Sequence, residues 1–431
     1  MSDWKETTLG ILLKFANGKT SPERAAHFPY AVYGSNGIIG KSKATNADPN
    51  SIIIGRVGSY CGSVFYSQSA CWVTDNAIRA SATAGNIPRF LYYLLQGIDL
   101  NHWRGGSGQP LLNQTVLSSI PTSSPGSDEQ KAIAHVLGSL DDRIELNRRM
   151  NETLESMAQA LFKSWFVDFD PVIDKALAGG KEIPEELSEK AQARAVLGDN
   201  RRPLPEEIRT LFPDEFTYSN DLGWIPEGWE VGSLVEIALL KTSSVQPKNE
   251  PETVWTHFSI PAFDENRLPN NELGSTIKSG KYMVPPTAIL ASKLNPQFPR
   301  VWLPDVEKDE TAICSTEFMP FVPLDTHERP FLYAFFNSSI IQEKIVNRAT
   351  GSTGSRQRVR PREIASMSIL KPPQRLRVHF SNIAGSYYSK VAANIRAARY
   401  LEKLRNTLLP KLLSGELRIP DAEKMVEELA L

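Results

Sequence analysis

Cysteine is scarce in this chain, and histidine clusters, long apolar runs and any large excess of one charge are missing from it. Its three cysteines, Cys61, Cys71 and Cys314, cannot build a closed disulfide framework. The six histidines are scattered without metal-ligand spacing. No apolar run approaches the roughly 20 residues of a membrane span. The opening MSDWKETTLG has no apolar core of a secretory signal, so a cytoplasmic protein without membrane attachment is expected. Lys plus Arg total 48 against 49 Asp plus Glu, which gives no global attraction to polyanions; any anion-binding surface must be local.

Catalytic signatures are missing too. There is no GxxxxGK[ST], no HExxH and no GxSxG. YGSNGIIG, from Tyr33, has the wrong glycine spacing for a dinucleotide site and reads as a turn. NPQF, from Asn295, lacks the second proline and the upstream glycine loop of an amino-methyltransferase. Glu129 and Lys131 have a nuclease-like spacing but fall in the first turn of a helix, where acids favour the N-terminal dipole. No catalytic residue, metal site or cofactor site is expected in this chain.

What is present is a rod. From Asp128 to Phe166 the only helix breaker is Gly138, and Ile133, Leu140, Asn147, Leu154 and Leu161 recur every seven residues. Leu137, Ile144, Asn151, Ala158 and Trp165 form the second seam. Ser127 and Gln130 fit a capping box at its start, and Pro171 bars continuation at its end. Such a helix is about 55 to 60 Å long and needs a partner.

The partner lies in the same chain. With Pro372 aligned on Pro125, Phe380, Tyr387, Asn394, Leu401 and Leu408 fall on the first seam, and Ala384, Val391, Ala398, Arg405 and Leu412 on the second. Upstream, PFLYAFFNS (Pro330) matches RFLYYLLQG (Arg89), and GWEVGSL (Gly228) matches DWKETTL (Asp3). The expected organisation is a globular segment over 1–126, a rod over 127–167, a connector over 168–226, a second globular segment over 227–372, a second rod over 373–413 and a tail over 414–431. Short β-branched runs between Gly, Pro and Asn turns make the globular segments mixed α/β, and the fold class α+β with an antiparallel coiled coil. The connector is expected to be ordered.

Each globular segment carries a Gly/Ser loop with basic and amide groups shortly before its rod. Arg, Lys, Asn and Gln are the side chains that read base edges, and Gly-rich backbone can approach phosphates. The candidates for DNA contact are Arg356, Gln357, Arg358 and Arg360 in the second loop, and Arg104, Gln109, Asn113 and Gln114 in the first. Arg56, Lys41 and Lys43 are weaker members. The rival reading is a protein-interaction scaffold with two related globular units and no contact with nucleic acid.

The stretch SSPGSDEQKAIAHVLGSLDDRIELNRRMNETLESMAQALFKSWFVDF, with LEKLRNTLLPKLLSGEL and IPEGWEVGSL, resembles the specificity (S) subunit of type I restriction-modification systems. The second rod departs from that pattern, with Leu376-Arg377 where Glu-Gln is the rule. The resemblance implies a non-catalytic subunit whose two target recognition domains read the two parts of a split double-stranded DNA sequence. It also implies two modification (M) subunits bringing S-adenosylmethionine for adenine N6 methylation, and restriction (R) subunits that cleave using ATP and Mg. The rods would serve as the spacer. Asn147 and Asn394 lie near the rod midpoints, so they are expected to meet and fix the coiled-coil register.

Overall fold

The computed structural model describes residues 4–105, 111–198, 204–306, 311–351 and 357–427. Its contacts divide into two compact units, Met1–Arg148 with Ile395–Leu431 (unit 1) and Arg149–Asn394 (unit 2).

In unit 1 a four-stranded antiparallel sheet runs in the order Leu13–Asn17, Ala77–Ala82, Ser51–Gly55, Val64–Ser67. The SIIIG strand is buried along its whole length because elements cover both of its faces. A smaller sheet joins Gly37–Ser42, Tyr30–Gly34 and Trp72–Val73, the last pair parallel. YGSNGIIG forms the tight turn between the first two, with Gly37 at a φ of 95° that a side chain would resist. Unit 2 has the larger version: a four-stranded sheet of Ala238–Leu240, Phe318–Pro323, Ile289–Ser292 and Val301–Trp302, and a five-stranded one centred on Ala312–Ser315.

The internal repeat is structural. Lys5–Thr8 pairs antiparallel with Pro121–Ser124, the strand that leads into the first rod. Glu230–Ser233 pairs in the same way with Ser368–Lys371, which leads into the second. The two matching WxxxxL stretches therefore hold the same strand, closing each globular segment on itself. RFLYYLLQG and PFLYAFFNS lie in equivalent helices, Pro88–Gly97 and Arg329–Asn337, each opened by a proline in its first turn and packed by an apolar face.

The rods are single helices, Ser127–Phe166 and Gln374–Leu413, of 40 residues each. In unit 1 the start of the first rod meets the end of the second: Ile133, Leu137 and Leu140 share a core with Leu401, Leu408 and Leu412. Arg405, charged in an apolar seam, is answered there by Asp141 at 2.7 Å. In unit 2 the end of the first rod meets the start of the second, where Phe162 and Trp165 pack on Phe380 at ring distances of 5.7 and 6.1 Å. The long helices thus pair antiparallel, and the fold is α+β.

How each rod is anchored differs from the sequence expectation. Gln130 does not close a capping box on Ser127. Its amide oxygen accepts from Ile87 N at 2.9 Å, and its nitrogen donates to Asn86 Oδ1, Ser124 Oγ and Pro125 O. Gln130 therefore ties the rod to the N-cap of helix Pro88–Gly97, supplying an acceptor that this helix start would otherwise lack. At the matching position of the second rod, Arg377 grips Glu328, the N-cap residue of Arg329–Asn337, through two bonds of 2.9 Å. Its other nitrogen donates to Pro372 O. The departure from the Glu-Gln pattern is therefore a charged form of the same clamp.

The connector holds helices Asp170–Gly179, Ser188–Leu197 and Glu206–Arg209. Val172, Ile208 and Phe212 bury in the core of unit 2. After the second rod, helix Ile419–Glu427 inserts Ala422 and Val426 into the core of unit 1.

The polar gap in the seams is a hydrogen-bonded pair with a different partner from the one expected. Asn394, 3% exposed, donates from Nδ2 to Asn151 Oδ1 at 2.8 Å, so it faces Asn151 rather than Asn147. Equivalent residues meet across an antiparallel pair only where the pairing is centred on them. Here the partner of Asn394 lies one helical turn further along. Changing Asn151 and Asn394 together to Leu should raise the melting temperature, by about 1 kcal/mol of added stability, because both halves of the polar pair go at once. It should also loosen the pairing register of the two rods. A lower melting temperature with an unchanged register would contradict the register role.

Candidate nucleic-acid interface

In unit 1 the loop of interest is pinned at its neck. Gly105 and Leu111 exchange two backbone hydrogen bonds of 3.0 and 3.1 Å. Leu111 bridges Val57, and Leu112 N donates to Arg56 O at 3.1 Å. Arg56 is the first residue after the central strand Ser51–Gly55, and its own N–H donates to Asn76 O at 2.9 Å. Its guanidinium is half-buried, with one 3.4 Å contact from Nη1 to Asp75 O, and its Nε is buried without a partner. Arg104, exposed at the neck, donates from Nε to Asn101 O. Gln109 lies outside the described residues.

The two amides expected to face DNA here also make contacts within the protein. Asn113 is the N-cap of helix Gln114–Ser119, its Oδ1 accepting from Val116 N at 2.8 Å. Gln114, with its amide turned to suit both neighbours, donates to Phe15 O and accepts from Asn17 N, tying that helix to strand Leu13–Asn17. Lys41 and Lys43 lie apart, on and just after the strand Gly37–Ser42 of the smaller sheet. Both are exposed, and the Lys43 ammonium sits 4.7 Å from the centre of the Phe28 ring. Arg24 joins that edge by donating to Ile39 O.

Unit 2 repeats the pinned neck. Thr350 and Arg358 exchange backbone bonds of 2.9 and 3.0 Å, Arg358 bridges Leu294, and Val359 N donates to Lys293 O at 3.0 Å. Lys293 is the first residue after strand Ile289–Ser292, and its N–H donates to Glu317 O at 2.9 Å. The backbone bonds at Arg56 thus have their equivalents at Lys293, a residue that the sequence reading passed over. The signal was available: SIIIGRV aligns with AILASKL once the strands are matched. Next to it Asn295 adopts a left-handed φ of 47°, and its N–H donates to Gln357 O at 2.8 Å. NPQF is therefore a turn propping the loop.

Arg358 is not free to reach a ligand unaided. Its Nε and Nη2 grip both carboxylate oxygens of Glu317 at 3.0 to 3.3 Å, which raises its pKa and offsets its charge. Arg360 is the N-cap residue of helix Pro361–Ala365 and reaches Glu363 at 3.2 Å while staying largely exposed. Gln357 is half-buried, and Arg356 lies outside the described residues. Among the described residues no group of three or more His, Cys, Asp or Glu could hold a metal ion, and no helix is long and apolar enough to cross a membrane. The three cysteines are buried and unpaired, and burial pushes the Cys314 thiol up to about 12. None is a poised nucleophile.

The chain is similar to known proteins over most of its length. The profile of the type I restriction modification DNA specificity domain matches residues 1–156. The HindI specificity subunit of Haemophilus influenzae is 26% identical over 368 residues, which cover 77% of this chain and 78% of that one. The MjaIX specificity subunit of Methanocaldococcus jannaschii is 25% identical over 356 residues, 78% of this chain and 71% of its own. In fold, the chain resembles the type I restriction-modification S subunit of M. genitalium, with a TM-score of 0.56 at 16% identity over 95% of this chain and 96% of that one. The duplicated globular segments and the paired rods go with this similarity, so the chain is similar in sequence and fold to type I restriction-modification DNA specificity subunits.

Proposed function

We propose that the chain gives a multi-subunit type I restriction-modification complex its DNA sequence specificity, each unit reading one part of a split double-stranded target. The observation that carries this reading is the duplicated site: a loop closed at its neck, docked on the exit of a central strand that bears a basic residue, once in each unit. The neck bonds fix the strand exits at Arg56 and Lys293 before binding, so less ordering entropy is lost there on DNA. The rods serve as the spacer and offer the docking surface for two modification subunits; restriction subunits join through that assembly. S-adenosylmethionine, ATP and Mg belong to those partners, and this chain performs no chemistry. The protein acts in the cytoplasm, where the DNA is.

The experiment is methyl transfer from labelled S-adenosylmethionine to duplex DNA. The purified chain alone should transfer nothing, and activity should appear when modification subunits are added at about two per chain. Methylation by the lone chain, or by modification subunits on the same sites without it, would sink the proposal. A gel shift with random-sequence duplexes separates it from the scaffold reading, which predicts no DNA binding with or without modification subunits.

A further inference from the structure

Arg56 and Lys293 are held by the same bonds in the two units. Each follows a buried inner strand, donates its N–H to the carbonyl of the residue just before the neighbouring strand of the sheet (Asn76 or Glu317), and accepts at its own carbonyl from the residue beyond the loop (Leu112 or Val359). Cys61 Sγ adds a further bond to Arg56 O at 3.1 Å. The backbone of both residues is therefore fixed from both sides, and each half-buried side chain leaves from a defined point beside the loop neck.

Around them, other charges are spent. Arg358 is neutralised by Glu317, and Arg360 is drawn to Glu363. Neither Arg56 nor Lys293 makes an ion pair among the described residues; Arg56 has only the 3.4 Å contact to a carbonyl. What the two positions share is charge and placement, while their shapes differ. A guanidinium fork and an ammonium are not equivalent at a base edge, where bidentate geometry decides, but each can serve at a phosphate as a positive charge with N–H donors.

Resting on the DNA-reading function proposed above, we infer that Arg56 and Lys293 are equivalent backbone-phosphate contacts, one per unit, that seat each loop on the duplex. Arg358 is a positioning residue: through Glu317 and its bridge to Thr350 it holds the second neck closed.

The test uses the complete complex with modification subunits and two duplexes: one carrying the sequence that the wild type methylates, the other a scrambled control. Binding is measured over a salt series. Arg56→Met and Lys293→Met should each weaken both duplexes by the same factor, and each should flatten the slope of log affinity against log salt by about 0.9. The methylated sequence should not change. Arg56→Lys and Lys293→Arg, which preserve the charge and pose little risk to folding, should restore slope and affinity. An unchanged salt slope in the Met variants, or a shift in the methylated sequence in any of the four, would overturn the phosphate assignment alone. A wild-type complex that binds neither duplex would overturn the DNA-reading function with it.

Discussion

Glu328→Ala is expected to lower the stability of unit 2 by about 3 to 5 kcal/mol, enough to leave much of the chain unfolded at 37 °C. Glu328 and Arg377 are 4% and 11% exposed and joined by two bonds of 2.9 Å. Removing the carboxylate leaves a mostly buried guanidinium without its counter-charge, while the pair itself adds little over an apolar substitute. The equivalent clamp in unit 1 suggests the repair. There a glutamine, Gln130, accepts from the backbone N–H of Ile87. The double change Glu328→Ile with Arg377→Gln copies that arrangement and should recover most of the loss, which urea unfolding can measure. If Glu328→Ala unfolds at the wild-type urea concentration, the clamp does not carry the rod start.

Exchanging residues 227–372 for the corresponding segment of a relative should change one part of the methylated sequence completely and leave the other part and the spacing as they were. The prediction follows from the closure of each segment by its first and last strands, Glu230–Ser233 on Ser368–Lys371 in this case. The clamp sets a condition on it. A donor segment without an acid at the position of Glu328 would leave Arg377 stranded, so the exchange must carry a matching clamp residue. Phe331 must also be kept apolar, because it packs on Phe162 and Phe166 of the first rod at 5.5 and 5.2 Å. A folded exchange product that alters both parts of the target, or only the spacing, would show that the units do not read independently.

Much of this architecture was legible because it is periodic. A heptad seam is visible in any window, and the duplicated rods exposed the duplicated units. What periodicity does not encode is which residue lies opposite which. Asn394 was expected to face Asn147 from symmetry alone, and it bonds to Asn151 because the register is centred further along. Gln130 sits three residues after Ser127 and so imitates a capping box, yet its bonds go to a helix start some forty residues earlier in the chain. The capping role of Asn113 is legible as well, since an Asn immediately before a short apolar-periodic run is an N-cap signal. Lys293 was missed because a single lysine in a β-branched stretch carries no local mark; only the matched strand exits reveal it.

The most direct test of the central claim is a map of methylated adenines in DNA modified by the wild-type complex. The account predicts a split target, two short defined sequences separated by a run of fixed length and free composition. A single uninterrupted sequence, or adenine methylation without sequence preference, would contradict it.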